Sequence, residues 1–513
     1  MGLCLFFFAS ASCTKKMEGL NVNQKLITDK QLEMDANEGG FMLPGMQMGI
    51  VDVLRSWVYE VQTCYCADNY GGYCSIQYPE GNNINLGTYG PDISWLNDVW
   101  VSPSTQVLDQ WVGMKKKGFD TKYPDLYALG IIFKVFAGHR IVDVLGPIPY
   151  SLYGTASDVK FDSEEEAYNL FFIELKSAVA ALTKAETDNP NADKIRYAKF
   201  DKSRYGGNYA TWIKVANTLR LRLAMRISLV NPAKAKIEAE AAIADGGVLT
   251  TSQGSFEMTT GTVHPIKTIT EDWQEIRLNA AIACFLGGYN DPRLPKYGKP
   301  SIYGGEIIGM RSGSIQKVGN YIGVSQLNFS DNPYVKLMDV AESYFLLAEG
   351  ALRGWNMGGT AKDFYEQGIR ASFSANKVAG VEDYLNNSTA TPKAYVDPVN
   401  PLNNALPLTS ITIKWDENST MEQKLERIIT QKWIAMYPEG YEAWAEFRRT
   451  GYPRLWPVAE NNSGGIVPAR QFIKRLTYPI AITNSSQTAV AAAISSYLDG
   501  KDSMFEPIWW DVK

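Results

Sequence analysis

The sequence predicts a mainly α-helical protein, with tetratricopeptide-like helical pairs packed against an irregular, loop-rich half. Three observations carry this reading. Apolar residues recur at helical spacing through most of the 513 residues, and strand-like alternation is scarce. Gly, Asn, Pro and aromatic residues gather in long segments between the helical stretches.

The clearest helix covers 208–229, where Trp212, Val215, Ala216, Leu219, Leu223 and Ile227 share one face and Arg220, Arg222 and Arg226 are interleaved. Asn231-Pro232 ends it and opens a second, running through Ala235, Ile237, Ala241, Ala242 and Ile243 to Gly246-Gly247. Two antiparallel helices joined by a short turn, with a Trp near the start, resemble a tetratricopeptide unit. The pairing recurs at 333–353 with 360–373 and at 420–437 with 441–449. Earlier helices are expected at 43–63, 98–117, 124–143 and 163–183, giving roughly four pairs at irregular spacing rather than identical repeats. Segments 68–93, 245–323 and 375–416 are expected as loop insertions within one domain spanning 31–513. Loops of that length usually serve function.

The amino terminus sets the expected location. An apolar run from Leu3 to Ala9 closes on Ser10-Ala11-Ser12-Cys13 and the polar Thr14-Lys15-Lys16. The run is too short to span a bilayer and matches a signal peptide over 1–12, with Cys13 acylated and 13–30 as a tether. A diacyl or triacyl cysteine anchors a protein firmly, whereas one chain holds weakly. No Lys or Arg precedes the run, which places the true start codon upstream. Of the remaining cysteines, Cys64, Cys66 and Cys74 leave both a loop disulfide and free thiols open, with Cys284 apart.

Charge and composition exclude several classes. Lys plus Arg number 50 against 55 Asp plus Glu, a net charge of −5, which argues against a nucleic-acid partner. His139 and His264 are the only histidines, so an HExxH helix and a three-histidine zinc site are excluded. No phosphate loop, nucleophile elbow or dinucleotide fingerprint occurs. No cofactor or metal site is expected from the residues, and a structural calcium ion is left open.

The segment Glu426-Arg427, Gln431-Lys432-Trp433-Ile434-Ala435, Glu439-Gly440-Tyr441-Glu442-Ala443-Trp444 and Phe447-Arg448-Arg449-Thr450-Gly451 resembles the SusD/RagB family of nutrient-binding lipoproteins of Bacteroidetes. Asp143-Val144-Leu145-Gly146-Pro147-Ile148-Pro149-Tyr150, Asp291-Pro292-Arg293-Leu294, Asp339-Val340-Ala341-Glu342-Ser343-Tyr344, Tyr478-Pro479 and Trp509-Trp510-Asp511 agree with it. The resemblance covers most of the chain and lies near the starch-binding-associated branch. It implies a lipoprotein that captures oligosaccharide or another nutrient at the cell surface and passes it uncleaved to a SusC-like TonB-dependent transporter. Relatives often carry acidic residues directly after the lipidated cysteine; here Lys15 and Lys16 precede Glu18.

The 13 Trp, 28 Tyr and 20 Phe exceed what a core needs. Ring faces stack on sugar C–H faces while amides bond hydroxyls, so aromatic, amide-rich loops suit carbohydrate. Tyr65, Tyr70, Tyr73 and Tyr78, among Asn69, Gln77, Asn82, Asn83 and Asn85 and followed by Trp95 and Trp100, form one candidate wall. Trp273, Tyr289, Tyr297, Tyr303 and Tyr321 form the second. Trp433, Trp444 and Phe447 are expected as core, and Arg448 and Arg449 as complements to a helix C-terminus capped by Gly451. His139 is expected to be structural, whereas His264 sits in a loop where it could meet a ligand. Two other readings stand beside glycan capture. An envelope glycoside hydrolase requires two carboxylates roughly 5 to 10 Å apart, for which Glu275 and Asp291 are nominal candidates. A helical scaffold for a peptide is the other.

Overall fold

A computed structural model describes residues 34–77, 85–90, 96–261, 263–315, 320–329 and 333–513. Eight long helices pair in chain order. α1 (Pro124–Leu145) packs on α2 (Glu164–Asp188), α3 (Tyr209–Arg226) on α4 (Pro232–Ala244), α5 (Val340–Leu352) on α6 (Ala361–Ala375), and α7 (Met421–Met436) meets α8 (Gly440–Thr450). The chain is mainly helical, as the periodicity predicts. Two short antiparallel ribbons, β1 (Cys74–Ile76) with β3 (Ile276–Leu278) and β2 (Phe256–Thr259) with β4 (Tyr334–Met338), are the named sheets among the described residues.

Local signals explain the boundaries. Ser163 with Glu166 and Thr420 with Gln423 form reciprocal capping boxes that satisfy the first free N–H groups of α2 and α7. Asn231 accepts from the Lys234 N–H, and Pro232 takes the first turn of α4, where no donor is required. Gly451 ends α8 at φ 77°, with its N–H on the Phe447 carbonyl.

Three expectations are corrected. The helix expected over 43–63 divides into Leu43–Gly49, Ser56–Tyr59 and a π-helical stretch Glu60–Ala67. The Asp52 carboxylate causes the break by capping the Leu54 and Arg55 N–H groups, which offers the backbone a turn in place of a helix. The helix expected from 333 begins only at Val340, after β4, because Asp339 accepts the Ala341 N–H as its cap. The insertion at 245–323 contains a helix, Ala280–Gly288, whose apolar residues are buried.

The pairs are joined by buried ion pairs rather than by apolar contact alone. Arg222 of α3 forks onto Glu342 of α5 at 2.7 and 2.7 Å, and Arg226 reaches Glu442 and Glu446 of α8 at 2.5 and 3.0 Å. Lys432 of α7 meets Glu442 at 2.8 Å, while Arg449 of α8 forks onto Glu349 of α5 at 2.7 and 2.7 Å. All of these side chains are buried. Charges taken from water this way are tolerated only when mutually bonded. Arg449 holds Glu349 down to about 2 against the upward push of burial. Arg448 lies over the Trp444 ring at 3.8 Å and donates to the Asp143 and Lys474 carbonyls. The Arg-Arg-Thr-Gly motif is therefore structural, as expected.

Candidate functional site

On the loop-built side, residues from 69–89, 279–312 and 455–472 surround a recess of about 30 Å³. Asn69, Tyr70, Tyr89, Asn279 and Ala281 form its buried floor, and Arg311, Ser312, Trp456, Val458 and Phe472 are half-buried at its mouth.

Each wall is fixed from the helices. The Asp68 carboxylate accepts the Gly440 N–H at 3.1 Å, which pins the turn carrying Asn69 to the start of α8. A Cβ on Gly440 would lie 2.1 Å from that carboxylate, so this approach requires glycine. The Trp433 indole donates to the Gly71 carbonyl at 2.7 Å, and the Tyr73 hydroxyl donates to the Trp433 carbonyl at 2.6 Å. Asn279 sits just after β3 and ties three segments together. Its amide donates to the Cys74 carbonyl, Ser75 Oγ and Ser312 Oγ, and its oxygen caps Ala281. Arg311 donates to the Asn403 and Pro457 carbonyls at 3.3 and 2.8 Å, and Trp456 donates to the Leu406 carbonyl at 2.7 Å. Burial pulls the Arg311 guanidinium below its usual range.

Within this well-fastened frame some polar atoms are left over. Neither the oxygen nor the nitrogen of the Asn69 amide has a hydrogen-bond partner, and Arg311 Nε has none. Buried amides are nearly always bonded, so an unpaired one is uncommon, and these atoms have under 1 Å² of accessible surface.

The sequence-predicted residues divide sharply. Tyr65, Tyr73 and Tyr289 are buried and serve the fold, which corrects their placement in a ligand wall. The Tyr65 hydroxyl donates to Glu275, Tyr73 is spent on Trp433, and the Tyr289 hydroxyl donates to the Ile411 carbonyl at 3.0 Å. Tyr297 and Tyr321 are likewise buried, donating to the Ile434 carbonyl and to Asp397. Tyr70 is buried with its hydroxyl on the Leu86 carbonyl, but its residue borders the recess. Trp273 is 39% exposed and Tyr303 half-buried, away from the recess lining. Tyr78, Trp95 and Cys13 lie outside the described residues. Trp456 and Phe472 were not among the predicted residues. The signal for Trp456 is its place in a Pro- and Gly-punctuated stretch, Tyr452-Pro453-Arg454-Leu455-Trp456-Pro457, directly after the capped end of α8.

His139 is buried with Nδ1 on the Val135 carbonyl at 3.0 Å, as expected for a structural histidine. His264 is also structural: it caps the Ile266 N–H, lies tilted against the Phe329 ring with centroids 4.4 Å apart, and is pushed down to about 3 by burial. Cys64, Cys66, Cys74 and Cys284 are buried free thiols. Asp291 is consumed by Arg293 at 2.6 and 2.9 Å. Glu275 instead accepts the Tyr65 hydroxyl, and burial together with the neighbouring Glu275 pushes the Glu60 carboxyl up to about 10.

The family model of SusD and RagB outer-membrane lipoproteins matches residues 19–511. The chain belongs to the SusD/RagB family. A solved chitin-binding SusD homologue from Flavobacterium johnsoniae is 39% identical, with a TM-score of 0.89 over 93% of this chain and 99% of that one. A SusD homologue from Bacteroides uniformis is 35% identical, with a TM-score of 0.85 over 93% and 99%. A SusD-like protein from Bacteroides thetaiotaomicron is 31% identical, with a TM-score of 0.87 over the same shares. No curated protein matches the sequence. Among the described residues no helix is long and apolar enough to cross a membrane.

Proposed function

We propose that this SusD/RagB protein is a glycan-binding lipoprotein, anchored through Cys13, that captures oligosaccharide at the recess below Trp456 and delivers it uncleaved to a SusC-like TonB-dependent transporter. The observation that carries the reading is the recess itself: aromatic and apolar side chains, Tyr70, Tyr89, Trp456 and Phe472 among them, stand beside the polar Asn279, Arg311 and Ser312 on segments tied to the helices. Small-molecule sites combine apolar walls with a few placed polar groups in this way. The 39% identical homologue is described as chitin-binding, which makes chitin-type oligosaccharides the first ligands to test.

The intact chain purified in mild detergent is expected to bind such oligosaccharides in calorimetry, release no reducing sugar from them, and co-purify with a TonB-dependent barrel. No binding to any member of a broad glycan panel would refute capture, and steady release of reducing sugar would favour the hydrolase. For the anchor, Cys13→Ser should shift the protein from the membrane to the soluble fraction. A variant still sedimenting with membranes would sink lipidation at that residue.

A further inference from the structure

We propose that a second cleft, adjoining the recess, takes an acidic sugar and holds its carboxylate at Arg454. The inference rests on the glycan-binding reading and adds a charged class of ligand to it. Size admits a whole ring. The cleft measures about 520 Å³ and shares Leu455 and Phe472 with the recess, so the two are continuous along one wall. Small-molecule sites commonly enclose about 300–1,000 Å³. Phe447 and Leu455 are buried in its floor and Phe472 is half-buried, which gives the C–H face of a sugar an apolar surface to rest on.

Charge decides the class. Lys474 is paired with Asp511 at 2.9 Å and Lys513 with Glu422 at 3.0 Å, so these two lysines add no net charge. Arg448 is buried beneath the floor, where Asp143 and Asp511 act on it, and its free nitrogen is out of a ligand's reach. Arg454 is different. It is exposed at the cleft, and although Glu422 feels its charge, it forms no ion pair among the described residues. Its guanidinium lies 4.7 Å from the centre of the Tyr452 ring and donates to the Tyr452 hydroxyl at 3.4 Å. That ring is buried, and its hydroxyl is fixed on Glu422 at 2.9 Å. The guanidinium is thus oriented on a fastened ring with most of its donors left over. A planar fork of donors meets a carboxylate with two parallel hydrogen bonds, which an ammonium does not.

The test titrates the intact chain with galacturonic acid oligomers and with the same oligomers after carboxyl reduction, which removes the charge and keeps the sugar chain. The acidic oligomers are expected to bind about tenfold tighter at low salt, with the advantage shrinking as salt screens the pair. Equal affinity for the two would overturn the acidic-sugar cleft and leave glycan capture standing. Binding of neither would also overturn it, and only silence across a broad glycan panel would remove capture itself. Arg454→Gln is expected to abolish the preference while leaving affinity for the reduced oligomers unchanged. Gln471→Glu, which adds a repelling charge at the exposed rim of the cleft, is expected to weaken binding of the acidic oligomers alone. A preference retained in folded Arg454→Gln, or undiminished in Gln471→Glu, would show that the carboxylate is held elsewhere.

Discussion

Arg449 and Asn69 lie in one apolar core, yet their polar atoms meet opposite fates. Arg449 donates to Glu349, Glu446 and Ser228 and has no unpaired nitrogen, whereas both ends of the Asn69 amide are unpaired. The helical half pairs its buried charges with one another across α3, α5, α7 and α8, though single nitrogens of Arg222, Arg226 and Arg448 stay unpaired. The loop side is held instead by single hydrogen bonds to that half, such as Gly440 to Asp68 and Trp433 to Gly71. The difference teaches that the fixed arrangement comes from ion pairs between helices, and that the loops borrow it through a few fasteners.

The strongest way to break this comparison is to unpair the foundation. Arg449→Ala leaves Glu349 with Arg353 alone and Glu446 with Arg226 and Lys432, and should lower unfolding free energy by about 3 kcal/mol in chemical denaturation. Ligand affinity of the protein that remains folded should be unchanged, since Arg449 does not border the recess. A loss below about 1 kcal/mol would mean that the network is not what holds the helices together.

A smaller effect comes from the Glu60 and Glu275 pair. Glu60 is pushed up to about 10 in the folded chain, while an unfolded glutamate titrates near 4.3. Between those values the folded state holds a proton that the unfolded state has released, so this group's stabilising contribution is full at low pH and declines as pH rises. Glu60→Gln, which cannot titrate, should flatten the alkaline decline in melting temperature. An unchanged profile would show that burial does not hold Glu60 protonated.

The smallest effect is expected at the solvent-facing ends. Lys184 and Asp188 form an ion pair with side chains 74% and 59% exposed, and Lys184→Ala should change stability by less than about 0.5 kcal/mol. A larger loss would show that exposed pairs also carry the helical half.

How much of this was legible in the sequence follows from the range of each signal. The helical pairs were readable because periodicity, caps and Pro or Gly stops act within a few residues, as at Asn231-Pro232 and Gly451. The break after Gly49 was not, because it hangs on the single Asp52 carboxylate. The candidate site was legible only as a region. Tyr65, Tyr73 and Tyr289 have the composition of a sugar platform, but their hydroxyls find partners 210, 360 and 122 residues away in sequence. No local pattern distinguishes a phenol that pins a loop to a helix from one that faces a ligand. Trp456 shows the converse, since its place at the recess depends on Asn69 and Arg311, which the fold brings to it from 387 and 145 residues away.

The central claim is that oligosaccharide binds at the recess below Trp456, and one titration tests it most directly. Trp456→Ala and the unsubstituted chain would be compared for affinity toward N-acetylglucosamine oligomers, with melting temperature recorded for both. The account predicts a loss of about tenfold or more in affinity, near 1.4 kcal/mol, in a protein that still unfolds cooperatively at a melting temperature lowered by the lost Leu406 hydrogen bond and Tyr395 contact. Equal affinity in a stably folded Trp456→Ala protein would contradict it and move the binding face to another part of the loop-built side.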